Sequence, residues 1–354
     1  MATYRQDVID RLKADGMDLS WLDAPSPKGA RAEPGKKGLT LEAAAVDGYN
    51  EVPRTTDNLG SAIRGAAERP EVGPIMLRWG NKAVAWSESV ELLYEEALQR
   101  QWSSARDIPW DQLTELPDDV ELAMCQVATF FNQVEFIAGD QPGRWVQNLS
   151  PDHFEVGLFL STQVMDEARH LDVFRKRALA NGGKLMLGNE PASGALAQWD
   201  FSQMTAQLHV LGEGFVQTMF RMGEWYSFNE AEKKIYRLAA QDESRHVAFG
   251  VMHLKYLLET EPERREQIHS YFDMAETGLG AGNQAGVLTG SGPTAESLAV
   301  LLGAGAKNID EGWRRLFAIN KRQVQEYVHR LDVIGMSDRL DRMNPRLKAF
   351  IGVN

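Results

Sequence analysis

The chain has 354 residues, a formal net charge of −12 and one cysteine, Cys125. The length allows one large core, or one core with helical additions, and 43% hydrophobic residues suit a folded chain. So acidic a chain, with no basic stripe, is a poor match for nucleic acid or anionic lipid, and a lone cysteine excludes an internal disulfide, a thiolate zinc site and an iron–sulfur cluster, so any metal must be held by nitrogen and oxygen.

The first residues, Met1-Ala2-Thr3-Tyr4, carry no apolar signal core, and no apolar run is long enough to span a bilayer. A cytoplasmic protein is expected. Residues up to about 21 read as one short helix, and 25–37, rich in Pro, Gly and Lys, as a flexible segment. Helical periodicity begins near Trp86. Residues 87–102 form the first helix of that region, broken at Ile108-Pro109-Trp110.

Four long apolar-striped helices follow. The first starts near Pro117-Asp118-Asp119 and carries Val127, Phe130, Phe131 and Val134. The second starts at Pro151-Asp152 and ends at Gly182-Gly183. The third spans about 201–226 and the fourth about 230–258. Further helical patches come after Glu261-Pro262, with a Gly-rich break at 278–292. No strand pattern is visible. The expected fold is all-α: a four-helix bundle at 86–260, an N-terminal extension at 1–85 and a C-terminal helical extension at 261–354.

The second long helix contains Asp166-Glu167-Ala168-Arg169-His170 and the fourth Asp242-Glu243-Ser244-Arg245-His246. Residues three apart share a helix face, so each Glu and His can point at one metal. Bundles that hold two metals draw a further Glu from each of the two other helices. Here these are Glu135 and Glu213, both in apolar surroundings where an unpaired carboxylate would be costly. Glu135 precedes Glu167 by 32 positions and Glu213 precedes Glu243 by 30. A turn at Ser227-Phe228-Asn229 lies midway between the second pair, so an antiparallel hairpin brings those carboxylates to one height. For the first pair, Pro142 leaves open either a kinked continuing helix or a long return loop.

Glu-x-x-His also occurs at Glu266–His269 and Glu326–His329, among charged neighbours and without the flanking Asp and Arg. These two read as solvated helix faces.

The paired Asp-Glu-x-Arg-His motifs with Leu211-Gly212-Glu213 resemble the hydroxylase subunits of bacterial di-iron monooxygenases. They are also similar to ribonucleotide reductase small subunits and their oxidase relatives, all of ferritin-like fold. The resemblance covers about 86–258. It implies that Glu135, Glu167, His170, Glu213, Glu243 and His246 hold two iron ions, with Mn/Fe as a variant. It makes Asp166, Arg169, Asp242 and Arg245 the groups around those ligands. It also implies O2 and a small-molecule substrate. A separate reductase or ferredoxin would be the electron donor, since no flavin, nicotinamide or iron–sulfur motif is visible. A homodimer is expected. The departures are Gln217 where the monooxygenases commonly carry Thr, and Phe174 where the reductase subunits usually carry a radical Tyr. Glu135 stands where those subunits usually have Asp.

Three functions follow from this: an oxygenase or oxidase (hydroxylation, N-oxygenation or desaturation), a radical-generating subunit, or a non-catalytic ferritin-like metal-binding protein. Helical geometry puts Phe131 and Ala138 on the face of Glu135, and His209, Gln217 and Phe220 on that of Glu213, as the expected substrate pocket. Trp102 and Trp110 are candidate electron waypoints. Gly278-Leu279-Gly280-Ala281-Gly282 imitates a dinucleotide loop, but without a preceding strand it reads as an ordinary loop.

Overall fold

The computed structural model describes residues 6–20, 31–46, 49, 51–58, 60, 62–66, 78–186, 200–281 and 292–352. Before the bundle come α1 (Gln6–Ala14), α2 (Leu41–Ala44) and α3 (Val90–Gln99). The flexible segment expected at 25–37 falls partly outside the described residues; 31–37 are non-helical, with a tight bridge between Gly35 and Gly38. α3 is shorter than the expected helix. It ends before Trp102, whose indole turns into the core.

The long helices start where capping chemistry directs. α4 (Asp118–Val146) follows Pro117 and places Asp118, Asp119 and Glu121 in its first turn, where the helix dipole favours negative charge. It runs through Pro142 to Val146, so the first pair of carboxylates is joined by a continuing helix and not by a long loop. Ser150 accepts from the Asp152 amide, and Pro151 opens a short 3-10 turn into α5 (Phe154–Ala180), which closes at Gly182 in the left-handed conformation. Asp200 accepts from the amides of Ser202 and Gln203 to start α6 (Phe201–Thr205). The helix then widens to π winding over Ala206–Glu213 and returns to α geometry in α7 (Gly214–Tyr226). Asn229 accepts from the Glu232 amide and starts α8 (Glu230–Thr260).

Helices α4 and α5 pack along each other, as do α7 and α8, and α5 meets α8 across the bundle. On each long helix an acidic residue falls between two apolar clusters. One cluster holds Phe131, Val173, Phe220 and Ala240; the other holds Ala138, Leu160, Leu208 and Phe249. The C-terminal helices α9 (Arg265–Ala281), α10 (Pro293–Leu302) and α11 (Ile309–Ile334) follow, with α10 on α4 and α11 against α7 and α8. Gly278 and Gly280 lie in the last turn of α9, which corrects the expected break there; 282–291 are outside the described residues. Short helices at Arg339–Arg342 and Pro345–Ile351 close the chain around buried Glu276. That carboxylate accepts from Tyr327, Arg339 and the Asn344 amide. The described residues contain isolated bridges but no strand, so the fold is all-α. No described helix is long and apolar enough to cross a membrane.

One buried cation ties three helices together at the end of the bundle near Gly182. Arg177 donates to both Glu121 oxygens at 2.7 and 2.9 Å, and its Nε to Glu232 at 2.7 Å. Replacing Arg177 with Met leaves the buried carboxyl of Glu232 without this partner. The expected loss is about 3–5 kcal/mol, read by chemical denaturation of metal-free protein. A loss below about 1 kcal/mol would show that the pairs behave as exposed ones.

Candidate metal centre

α5 and α8 cross with their Asp-Glu-x-Arg-His motifs facing each other, and the named residues of both motifs are buried. Glu135 from α4 and Glu213 from the π segment, 2% and 3% exposed, complete the centre. One ligand atom each from Glu135, Glu167, His170 and Glu243 lie within 4.8 Å of one another, as do those from Glu167, Glu213, Glu243 and His246. Two groups able to hold an ion therefore stand side by side and share Glu167 and Glu243. At Gly139 of α4 a Cβ would lie 3.4 Å from the Glu167 Cβ, so the first helix pair is in close contact at this level.

Both imidazoles turn Nδ1 inward. His170 Nδ1 lies 3.2 Å from Glu167 and 3.5 Å from Glu243; His246 Nδ1 lies 3.1 Å from Glu167 and 3.5 Å from Glu243. The outer nitrogens cross between motifs. His170 Nε2 meets Asp242 at 3.2 Å and His246 Nε2 meets Asp166 at 3.3 Å. Each Asp thus orients the histidine of the other helix. The arginines bridge the same two carboxylates: Arg169 reaches Asp166 and, at 3.1 Å, Asp242, while Arg245 reaches Asp166 at 2.8 Å and Asp242 at 2.6 Å. Trp102 adds a third donor to Asp242 Oδ2, its Nε1 at 2.7 Å, with Arg169 over its ring.

The charges explain what the centre requires. Asp166 and Asp242 are balanced by Arg169 and Arg245, which leaves four inner carboxylates without a fixed cation. Burial, reinforced by the charges of Glu167 and Glu243, pushes the Glu135 carboxyl well above its usual range. Burial also lifts Glu213, with Glu243 and Glu167 adding to it against the pull of His246. Burial opposes ionisation of Glu167 too, but hydrogen bonds from His170 and His246 bring it to about 2. On the two imidazoles, burial acts downward and is outweighed by the surrounding carboxylates, so both are raised well above the ordinary histidine value. Without metal, the centre must borrow protons. Several inner atoms also lack a hydrogen-bond partner: Glu135 Oε1, Glu213 Oε2 and both Glu243 oxygens. Orphaned acceptors converging on two points fit a pair of divalent cations, whose four charges match the four carboxylates.

The other expected site residues are dispersed. Phe131 and Phe220 stack edge-on at 4.8 Å, and the Phe220 ring is 6.2 Å from His170. Phe131 lines a cavity of about 50 Å³ with Met124, Met219, Tyr236 and Leu301; the other four expected pocket residues do not line it. Ala138 packs in the second apolar cluster. His209 hydrogen-bonds Gln163 at 3.1 Å, and Gln217 donates to Ser244 at 2.9 Å on the outer side. Gln163, which sequence reading missed, donates to Glu213 at 2.9 Å; its place one turn before Glu167 was the available signal.

The two outlying Glu-x-x-His pairs belong to neither ion group. Glu266 and His329 are on the surface as expected. His269 is buried against Asp338, and Glu326 is held by Thr218, Arg221 and Arg322, so those two are not solvated faces.

No protein-family model and no curated protein matches the chain. Among solved structures it is similar to an R2-like ligand-binding oxidase with aerobically reconstituted metal cofactor after photoconversion. The identity is 15% and the TM-score 0.48, over 74% of this chain and 95% of that one. Two single-residue variants of an R2-like ligand-binding oxidase, with aerobically and anaerobically reconstituted Mn/Fe cofactors, are 16% and 18% identical over the same shares, each with a TM-score of 0.46. At such identity the centre of this chain has to be read from its own residues.

The crossed pairing is testable without metal. In Asp242→Asn, the imidazole N–H resonance of His170 in histidine-labelled protein should shift or vanish while that of His246 stays. Asp166→Asn should do the reverse. If each substitution disturbs the histidine of its own motif, the crossing is wrong.

Proposed function

We propose that this chain is an O2-activating oxidase or oxygenase with a two-metal centre, iron–iron or manganese–iron, acting on a small organic molecule. The observation that carries this reading is the pair of four-residue groups sharing Glu167 and Glu243, with unpartnered carboxylate oxygens turned to the shared space. Glu135 and His170 would serve one ion and Glu213 and His246 the other, with Glu167 and Glu243 spanning both. Carboxylate and imidazole donors suit iron and manganese. When bound, such a pair supplies electrons and open coordination positions toward O2.

The protein's own part is geometry, charge and exclusion of water. Asp242 and Asp166 accept the outer imidazole N–H groups, which fixes ring orientation and makes the inner nitrogens better donors. Arg169 and Arg245 each bridge those two aspartates and hold them in place. Phe131, Phe174 and Phe220 form an aromatic layer beside His170 that keeps bulk water from that side. We assign the substrate to that side, where Phe131 lines the small apolar cavity and packs on Phe220, whose ring faces His170. Trp102, 8% exposed, joins the edge of the bundle to His170 through Asp242, a route by which a separate reductase or ferredoxin would deliver electrons.

Anaerobic loading with Fe(II) should give about two ions per chain. Glu243→Ala should retain almost none, because it serves both groups, whereas Glu135→Ala and Glu213→Ala should each retain roughly one. Exposure of the loaded protein to O2 should consume gas in wild type and not in Glu243→Ala. Trp102→Phe should keep its metal yet take electrons from a reductant more slowly. A Glu243→Ala protein with full metal content would overturn the proposal.

A further inference from the structure

Behind Glu213 runs a polar chain that the paired motifs do not require. Gln163 is on α5, fully buried, one turn before Glu167. Its Nε2 donates to Glu213 Oε1 at 2.9 Å, and its Oε1 faces His209 Nε2 at 3.1 Å. An amide oxygen can only accept, so His209 must carry its proton on Nε2, and the amide nitrogen is thereby turned to Glu213. Reversing the amide would set two acceptors against each other at Glu213. His209 stays neutral, since burial, helped by the nearby His246 and His253, lowers it to about 3. It is a fixed donor and not a base.

The donor is also held mechanically. Gly250 of α8 faces His209, and a Cβ there would lie 2.4 Å from the His209 Cβ. The Phe249 ring packs edge-on against the imidazole at 5.6 Å. His209 and Glu213 both belong to the π-helical stretch, whose wider winding keeps residues four apart near one face, here the face toward α5. Oε1 of Glu213 is tied to Gln163 and lies 3.9 Å from His246 Nδ1, while Oε2 is buried without a hydrogen-bond partner in the residue that forms a group with Glu167, Glu243 and His246.

We propose that Gln163, oriented by His209, is a positioning residue that makes Glu213 a one-oxygen ligand of the ion beside His246. The proposal rests on the two-metal reading above and deepens it. Its consequence is asymmetric. Removing the amide frees both Glu213 oxygens to move and weakens the ion on the His246 side, while the ion on the His170 side keeps Glu135, Glu167, His170 and Glu243.

The test is Co(II) titration of the metal-free full-length protein, followed by calorimetry and by the visible absorption of the bound ion. Wild type should show two sites. Gln163→Met should weaken one of them by about 10- to 100-fold, alter its absorption band and leave the other site unchanged. His209→Phe should weaken the same site to a smaller extent. Thermal melting of the metal-free variants checks folding, and should Gln163→Met fail to fold, His209→Phe decides. Wild type with two sites and variants with unchanged or equally weakened sites would overturn the proposal alone. Wild type that takes up no Co(II) would overturn the metal reading, and this proposal with it.

Discussion

Four carboxylates, Glu135, Glu167, Glu213 and Glu243, converge where water does not reach, and no fixed cation is set aside for them. The arginines close by are already engaged by Asp166 and Asp242. Burying uncompensated carboxylates costs several kcal/mol each, so the arrangement is sustained either by protons or by metal. The rest of the bundle follows from meeting that constraint. Each carboxylate comes from a different long helix, so four helices must be held at matched heights. The apolar clusters above and below the centre do this, with ligand residues between Phe131 and Ala138 on α4 and between Ala240 and Phe249 on α8.

The ring of Asp and Arg around the histidines adds a second coupling. Because His170 leans on Asp242 and His246 on Asp166, neither α5 nor α8 can rotate without disturbing the other's ligand. Arg169 and Arg245 each bind both aspartates, so the ring is closed and every acceptor has donors. Trp102 joins this ring from outside the four long helices, its indole linked to His170 through Asp242. At the far end, Arg177 between Glu121 and Glu232 repeats the same device without a metal-binding role.

The helices and their order were legible because their ends carry local chemistry: acidic residues after Pro117, Ser150 before Pro151, Asn229 before Glu230. The heights of Glu213 and Glu243 followed from a short turn midway between them. Pro142 was not decidable, since a proline can end a helix or sit within one, and only packing of α4 along α5 settles which. The π winding at Ala206–Glu213 leaves no mark in an apolar stripe, so nothing in the pattern signals that His209 turns to Gln163 while Gln217 turns to Ser244. The crossed Asp–His pairing was also hidden. A repeated motif suggests that each copy is self-contained, whereas the opposing helix supplies the acceptor. Gln163 carries no charge and belongs to neither repeated motif, so the pattern does not mark it, although an amide is what a carboxylate in a dry core needs as donor.

The proposed centre requires that the four carboxylates and two histidines hold two ions and not a set of shared protons. Anomalous diffraction from crystals loaded with Fe(II) and Mn(II), recorded at both metal edges, addresses it most directly. Two peaks about 3.5–4 Å apart are expected, one beside Glu135 and His170 and one beside Glu213 and His246, with Glu167 and Glu243 near both. A single peak, or none with the carboxylates hydrogen-bonded to one another, would contradict it.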